Sequence, residues 1–301
     1  MDEIKYLRIS ACTQCNVTCW YCFNEGLDFG KSYIQDMDAF RWVVGFIVKN
    51  YSTEIIRFTG GEPLLNPHII DMVKITNEMG VKKIGFTTNG VLLPQFADKL
   101  NQNGISEYAV HIYQIDNGEP VLDEVFSFIE SIRILTKNVR FNIVVTRRSI
   151  DLVREILRYS VDNDVNLLLL DLLKASSSET VFAKTYYPLE ECKQVLLACG
   201  YNEKVEAANA VVYRGARSSI KVVNHYADPQ SHCVFCTRTV PTHPILLTPD
   251  FELAICTHFG KKAFSLAEAM QTRDEQKLRD VITETLAYLY SCEECPRKQI
   301  L

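Results

Sequence analysis

Six short apolar-rich runs alternate with stretches of helical apolar spacing over the first 173 residues of this 301-residue chain. The runs are 4–10, 54–59, 83–88, 108–112, 139–146 and 165–172. Between them the spacing predicts helices over 38–50, 67–79, 94–102, 121–136 and 150–163. Such alternation selects parallel strands joined by crossover helices. Six units fall short of the eight that close a full barrel, so the expected fold is α/β, a partial (β/α)6 TIM-like barrel. After about residue 175 the rhythm changes. A polar break at Ala175–Glu179 precedes a predicted helix over 188–199 and short strands over 210–213 and 219–223. The expected division is a barrel over 1–180 and a C-terminal α+β extension over 181–301.

Composition narrows the function classes. The net charge is −5 and there is no long basic run, which argues against a nucleic-acid partner. No apolar stretch approaches the length of a membrane span, and the N-terminal residues do not read as a secretory signal. A cytoplasmic, soluble protein is expected. Eleven cysteines is a high number for such a chain. In a reducing compartment clustered thiols point to metal or redox chemistry rather than disulfides.

The cysteines fall in groups. Cys15, Cys19 and Cys22 form C-x3-C-x2-C on the loop after the first strand, with Cys12 just before them. Three close thiolates suit three irons of a [4Fe–4S] cluster and leave the fourth open. A zinc site closed by Cys12 is the competing reading. Thr59-Gly60-Gly61-Glu62-Pro63 follows the second strand and Thr87-Thr88-Asn89-Gly90 the third. Together these resemble the radical S-adenosylmethionine (SAM) superfamily.

The resemblance implies that Cys15, Cys19 and Cys22 hold the cluster and that SAM binds its open iron. Backbone at Gly60, Gly61 and Glu62 would grip the methionine end, with Thr88 and Asn89 alongside, and Tyr21 would contact the adenine. Reductive cleavage of SAM would give a 5′-deoxyadenosyl radical that takes hydrogen from substrate. A ferredoxin or flavodoxin would supply the electron.

Cys233, Cys236, Cys256, Cys292 and Cys295 form a second group. With Leu247–Cys256 they resemble the turn-strand-Cys unit of SPASM and Twitch auxiliary domains, which implies a second [4Fe–4S] cluster. A zinc site and free thiols are the alternatives. Cys192 and Cys199 lie seven apart on a helical pattern and read as core.

Arginines interrupt three strands that should be apolar on both faces: Arg8, Arg57 and Arg140. They alternate with apolar neighbours, so each faces away from those neighbours. Such arginines either bind an anionic ligand or pair with barrel acids. The same positions, with Tyr6-Leu7-Arg8-Ile9-Ser10, Thr87, and Arg238 after Cys236, resemble the MoaA-like GTP cyclase family of molybdenum-cofactor biosynthesis. That resemblance makes Arg8, Arg57, Thr87, Arg140 and Arg238 substrate-binding candidates. His111 stands where the family has a SAM-contacting serine. The expected substrate is an anionic, nucleotide-like small molecule. The alternative is a Twitch-type maturase, dehydrogenase or epimerase acting on a peptide or natural product.

Overall fold

The structure is a computed structural model that describes residues 3–30, 32–112, 122–136, 138–173, 179–207, 210–223, 245–255 and 262–291. These residues form two compact units. One draws on Met1–Asn16, Phe23–Tyr108 and Phe235–Leu301, the other on Val17–Cys22 and Ala109–Val234. The units cut the chain elsewhere than the sequence boundary near 175–185.

In the first unit, β1 (Tyr6–Cys12), β2 (Ile55–Gly60) and β3 (Lys83–Thr88) are parallel, with α1 (Met37–Asn50), α2 (Ile69–Glu78) and α3 (Leu93–Gln102) following them in turn. Asp36 caps α1 through a 2.8 Å bond accepted from the Ala39 N–H. β4 (Glu107–His111) carries the chain into the second unit. There α4 (Leu122–Leu135), β5 (Val139–Val145), α5 (Ile150–Asn163) and β6 (Leu167–Asp171) continue the alternation, and β5 and β6 are parallel. Next come α6 (Glu179–Thr185), α7 (Glu190–Ala198), β7 (Asn202–Ala207), β8 (Ala210–Arg214) and β9 (Ser219–Val223). β9 runs parallel to β6, and β8 and β7 extend it antiparallel. In the first unit, β10 (Ile245–Leu247) pairs parallel with β1, and β11 (Glu252–Ile255) and β12 (Lys262–Ser265) add antiparallel strands. Two helices end the described chain, α8 (Ala267–Thr272) and α9 (Glu275–Ser291).

The α/β expectation holds through β6. The sequence reading missed α6, β7, β10, β12, α8 and α9, while the strand of the turn-strand-Cys unit expected within Leu247–Cys256 is present as β11. It also ended β1 two residues early, because Cys12 still pairs with Gly60 across a bulge. Among the described residues no helix is long and apolar enough to cross a membrane.

Strand alternation divides the first unit's sheet into two unlike faces. Leu7, Ile9, Ile56, Phe58, Ile84 and Phe86 are almost wholly buried, as are Phe40, Val43, Val44 and Met72 of α1 and α2. Each such side chain contributes about 1.5–3 kcal/mol. The opposite face carries Tyr6, Arg8, Ser10, Arg57, Thr59 and Thr87. The polar and charged side chains of these strands therefore sit on the face opposite the apolar one.

Asn66 ties this unit together. Its amide donates to the carbonyls of Ala11 (2.9 Å) and Ile34 (3.1 Å) and accepts from the His68 N–H (2.8 Å), all under cover. Asn66→Ala strands these buried groups and should cost about 2–3 kcal/mol. A chemical-denaturation midpoint shifted by less than a third of that would show the stitch to be dispensable.

Candidate active site

The loops after β1, β2 and β3 in the first unit are fastened to one another. The Gly61 and Glu62 N–H groups donate to the Cys12 and Gln14 carbonyls at 2.8 and 2.7 Å. This approach leaves no room for side chains. A Cβ on Gly60 would stand 2.2 Å from the Cys12 oxygen, and one on Gly61 the same distance from the Gln14 oxygen. Gly60 also has φ +131°, a backbone that L-residues rarely adopt. The glycine pair is therefore required by the close passage of the cysteine loop.

Glu62 is fully buried, and its carboxylate gathers the third loop. Thr88 Oγ1 donates to it at 2.8–2.9 Å, the Asn89 N–H at 2.8 Å and the Leu64 N–H at 3.1 Å. Burial pushes its pKa up to about 7 against the pull of these donors. The Asn89 amide in turn donates to Asn16 Oδ1 at 2.7 Å and lies 3.7 Å from Cys15 Sγ. Cys15, Asn89, Glu62, Gly61 and Cys12 thus form one connected chain of contacts. Glu62 and Thr88, expected beside the cofactor, are engaged with each other.

Cys12 differs from the other three cysteines of its group. Its buried thiol donates to the carbonyls of Glu62 (3.0 Å) and Gln14 (3.4 Å). Burial pushes its pKa up to about 12, so it stays a thiol. Cys15 and Cys19 are half-buried and Cys22 is exposed. Among the described residues no three Cys, His, Asp or Glu side chains gather as ligands of a single ion would. By donor chemistry alone, the three thiols of the C-x3-C-x2-C segment would suit an iron–sulfur cluster, and the Cys12 sulfur is already engaged with two carbonyls.

In the second unit the Cys22 N–H donates to the Cys19 carbonyl at 3.1 Å. Tyr21, buried and lying between these two cysteines in sequence, hydrogen-bonds through its hydroxyl to His111 Nε2 at the end of β4, with ring centroids 5.7 Å apart. Trp20 packs edge-on to Tyr21 at 5.5 Å, and the Arg148 guanidinium lies 5.4 Å over the Trp20 ring. The two aromatic positions expected at SAM are thus in contact. Arg140 Nε lies 3.2 Å from Asn142 Oδ1 on β5.

Arg8 and Arg57 lie side by side in register, and each meets an acid the sequence reading did not find: Glu25 for Arg8 and Glu107 for Arg57. Glu107 carried a signal, since an acid in a strand expected to be apolar is as anomalous as the arginines. Thr87 is half-buried on β3. Cys192 is buried in α7, as expected of a core residue, whereas Cys199, the C-cap of that helix, is only half-buried. Arg238 and the five cysteines Cys233, Cys236, Cys256, Cys292 and Cys295 lie outside the described residues.

Parallel β/α units with a cysteine-bearing loop after the first strand, locked to a Gly-Gly-Glu loop after the second, define a β/α-barrel enzyme with its site at the strands' C-terminal ends. The radical SAM superfamily matches residues 9–159, half of the chain, and the protein belongs to it. Members carry a [4Fe–4S] cluster and use SAM. Among relatives, a probable GTP 3′,8-cyclase of Sulfurisphaera tokodaii is 26% identical over 281 residues, covering 89% of this chain and 86% of that one. One of Sulfolobus acidocaldarius is 26% identical over 280 residues, covering 90% of this chain and 86% of that protein.

Solved structures share the fold. Streptococcus suis SuiB bound to S-adenosylmethionine gives a TM-score of 0.64 at 14% identity, covering 91% of this chain. This chain spans 65% of SuiB's length. Hexahistidine-tagged anSMEcpe with bound AdoMet gives 0.60 at 16% identity, covering 96% of this chain and 85% of that one. The fold is the radical SAM partial barrel.

Two outcomes follow from the loop network. Gly61→Ala drives a methyl into the Gln14 carbonyl, so the cysteine loop must move. Iron bound after anaerobic reconstitution should fall by half or more, and full iron content would refute the steric requirement. Glu62 titrates near 7 in the folded chain and near 4.5 when unfolded. The native state therefore holds the extra proton between those values. Stability should fall by about 3 kcal/mol as pH rises from about 4.5 through 7. Urea midpoints across that range should show the slope in the wild type and its loss in Glu62→Gln.

Proposed function

We propose that the chain uses SAM radical chemistry on an anionic, nucleotide-like small molecule. The observation that supports this most is the contact chain from Cys15 through Asn89 and Glu62 to Gly61 and Cys12, which fixes three loops around the cysteine segment. Cys15, Cys19 and Cys22 would hold the [4Fe–4S] cluster. When bound, cluster and SAM supply a 5′-deoxyadenosyl radical able to take hydrogen from an unactivated carbon.

This chain's residues supply positioning. The Gly61 and Glu62 N–H groups are already bonded to the cysteine loop. A SAM ammonium at this edge would therefore be received by backbone carbonyls of Gly60 and Gly61. Tyr21 and His111, hydrogen-bonded to each other with their rings edge-on, would contact the adenine. Arg8, Arg57, Thr87, Arg140 and Arg238 are assigned to substrate, the direction to which relatives named as probable GTP 3′,8-cyclases also point. The second [4Fe–4S] cluster is proposed on sequence alone, from Cys233, Cys236, Cys256, Cys292 and Cys295, as is the division into a barrel over 1–180 and an auxiliary region over 181–301. So is a ferredoxin- or flavodoxin-type electron donor. The peptide or natural-product reading rests on the extra pair Cys292 and Cys295.

Anaerobic reconstitution with iron and sulfide analysis tests the cluster assignments. The wild type should hold about eight irons and a Cys15/Cys19/Cys22 triple alanine about four. The triple variant should also lose methionine release from SAM under a strong reductant. A wild type with four irons would remove the auxiliary cluster. Unchanged methionine release in the triple variant would remove the assignment of these three cysteines.

A further inference from the structure

Trp20 follows Cys19 directly and precedes Cys22 by two residues. Its ring is half-buried, and the guanidinium carbon of Arg148 lies 5.4 Å from the ring centroid. A cation over an aromatic face is drawn to it by the ring's quadrupole. Arg148 belongs to the turn over 146–149 that follows β5, and this turn is built to keep its shape. Ser149 Oγ accepts from the Thr146 N–H at 3.0 Å, and the Ser149 N–H donates to the Thr146 carbonyl at 3.1 Å, with both residues buried. The Arg147 N–H donates to the Thr185 carbonyl at 2.8 Å, which sews the turn to the last residue of α6. All of these residues, with Cys19 and Cys22, belong to the second unit.

The side chains presented by this corner are cationic. Arg147, Arg148 and Lys184 are exposed, and none of the three makes an ion pair among the described residues. Asp151, the next acid after the turn, is held by Arg154 at 2.8 Å. Three such charges stand out on a chain whose net charge is −5. Val181, one turn before Lys184 on α6, adds an exposed apolar side chain. A small anion would find only solvent-exposed side chains here. A protein with an acidic face can meet all three cations at once. The SAM radical function needs one electron from a partner, and Trp20 sits inside the cysteine segment assigned to the acceptor. A planar ring at that place suits a flavin, whose aromatic edge can reach a protein surface and pack against another ring.

We propose that Arg147, Arg148 and Lys184, together with Trp20, form the docking corner for an acidic electron donor of the flavodoxin type. The inference rests on the SAM radical function proposed above. One electron passes from the donor's reduced flavin to the cluster, and no bond forms or breaks in that step. Redox encounters of this kind bury little area and are short-lived, so charge governs them and salt weakens them.

Isothermal titration calorimetry of the cluster-loaded full chain with a flavodoxin reads docking, and methionine release from SAM reads electron delivery. Flavodoxin should bind the wild type, and raising NaCl from about 50 to about 300 mM should weaken binding about tenfold or more. Arg147→Glu/Arg148→Glu/Lys184→Glu should weaken binding and raise the KM for flavodoxin about tenfold or more, while methionine release driven by dithionite stays within about twofold of the wild type. Binding that is unchanged in the triple variant, or insensitive to salt, overturns the docking corner and leaves the SAM radical function standing. A ferredoxin that binds where flavodoxin does not overturns the donor assigned. If dithionite releases no methionine from SAM in the wild type, the SAM radical function falls and the docking corner with it. The salt dependence of the wild type decides the matter alone if the triple variant does not fold.

Discussion

A carboxylate with no exposure to solvent, Glu62, is the constraint around which the first unit's loops are arranged. Burying an acid is unfavourable unless donors surround it. Glu62 has a threonine hydroxyl and two backbone N–H groups, drawn from its own loop and from the loop after β3. Those donors cannot be withdrawn without stranding the carboxylate, so the second and third loops are held to one geometry. The backbone beside Glu62 then holds the first loop, through the Gly61 and Glu62 N–H groups and the Cys12 thiol. Three sequence motifs that look independent are one mechanical part.

This linkage explains why the cysteines of the first group differ in kind. Cys12 sits where the loops cross, and its sulfur is spent on two carbonyls. Cys15, three residues on, has left the crossing; it is half-buried rather than sealed, with the Asn89 amide 3.7 Å from its sulfur. Position relative to the crossing, rather than spacing alone, separates a sealed, hydrogen-bonded thiol from a more accessible one.

Much of this is legible in the sequence. The bounds of β3 and α5 coincide with the expected runs, because a period of two and a period of 3.6 are strong signals when turns flank them. Tyr21 and His111 stand out in the sequence for separate reasons and are in contact in the structure. Less can be read where partners come from distant segments. The arginines on β1 and β2 announce themselves against apolar neighbours, but nothing near Arg8 in sequence names Glu25, and only a strand-to-strand register puts Gly85 under Arg57. The helix α9 shows the opposite failure. Leu278, Ile282 and Leu286 recur at the spacing of a buried stripe, all three are buried, and the pattern is open to reading. The cysteines that flank it draw the attention instead.

The charge arrangement on β1 and β2 separates two properties that a strand arginine is usually taken to supply together. An arginine brings positive charge, and it brings a fixed fan of donors. Here the charge of Arg8 and Arg57 is cancelled locally by Glu25 and Glu107, while one Arg57 nitrogen, Nη1, is buried with no hydrogen-bond partner among the described residues. Cancellation also removes the long-range pull that would draw any polyanion to the face. An arginine position in a strand therefore does not by itself specify an anion site, because the acid paired with it decides how much of its charge is left.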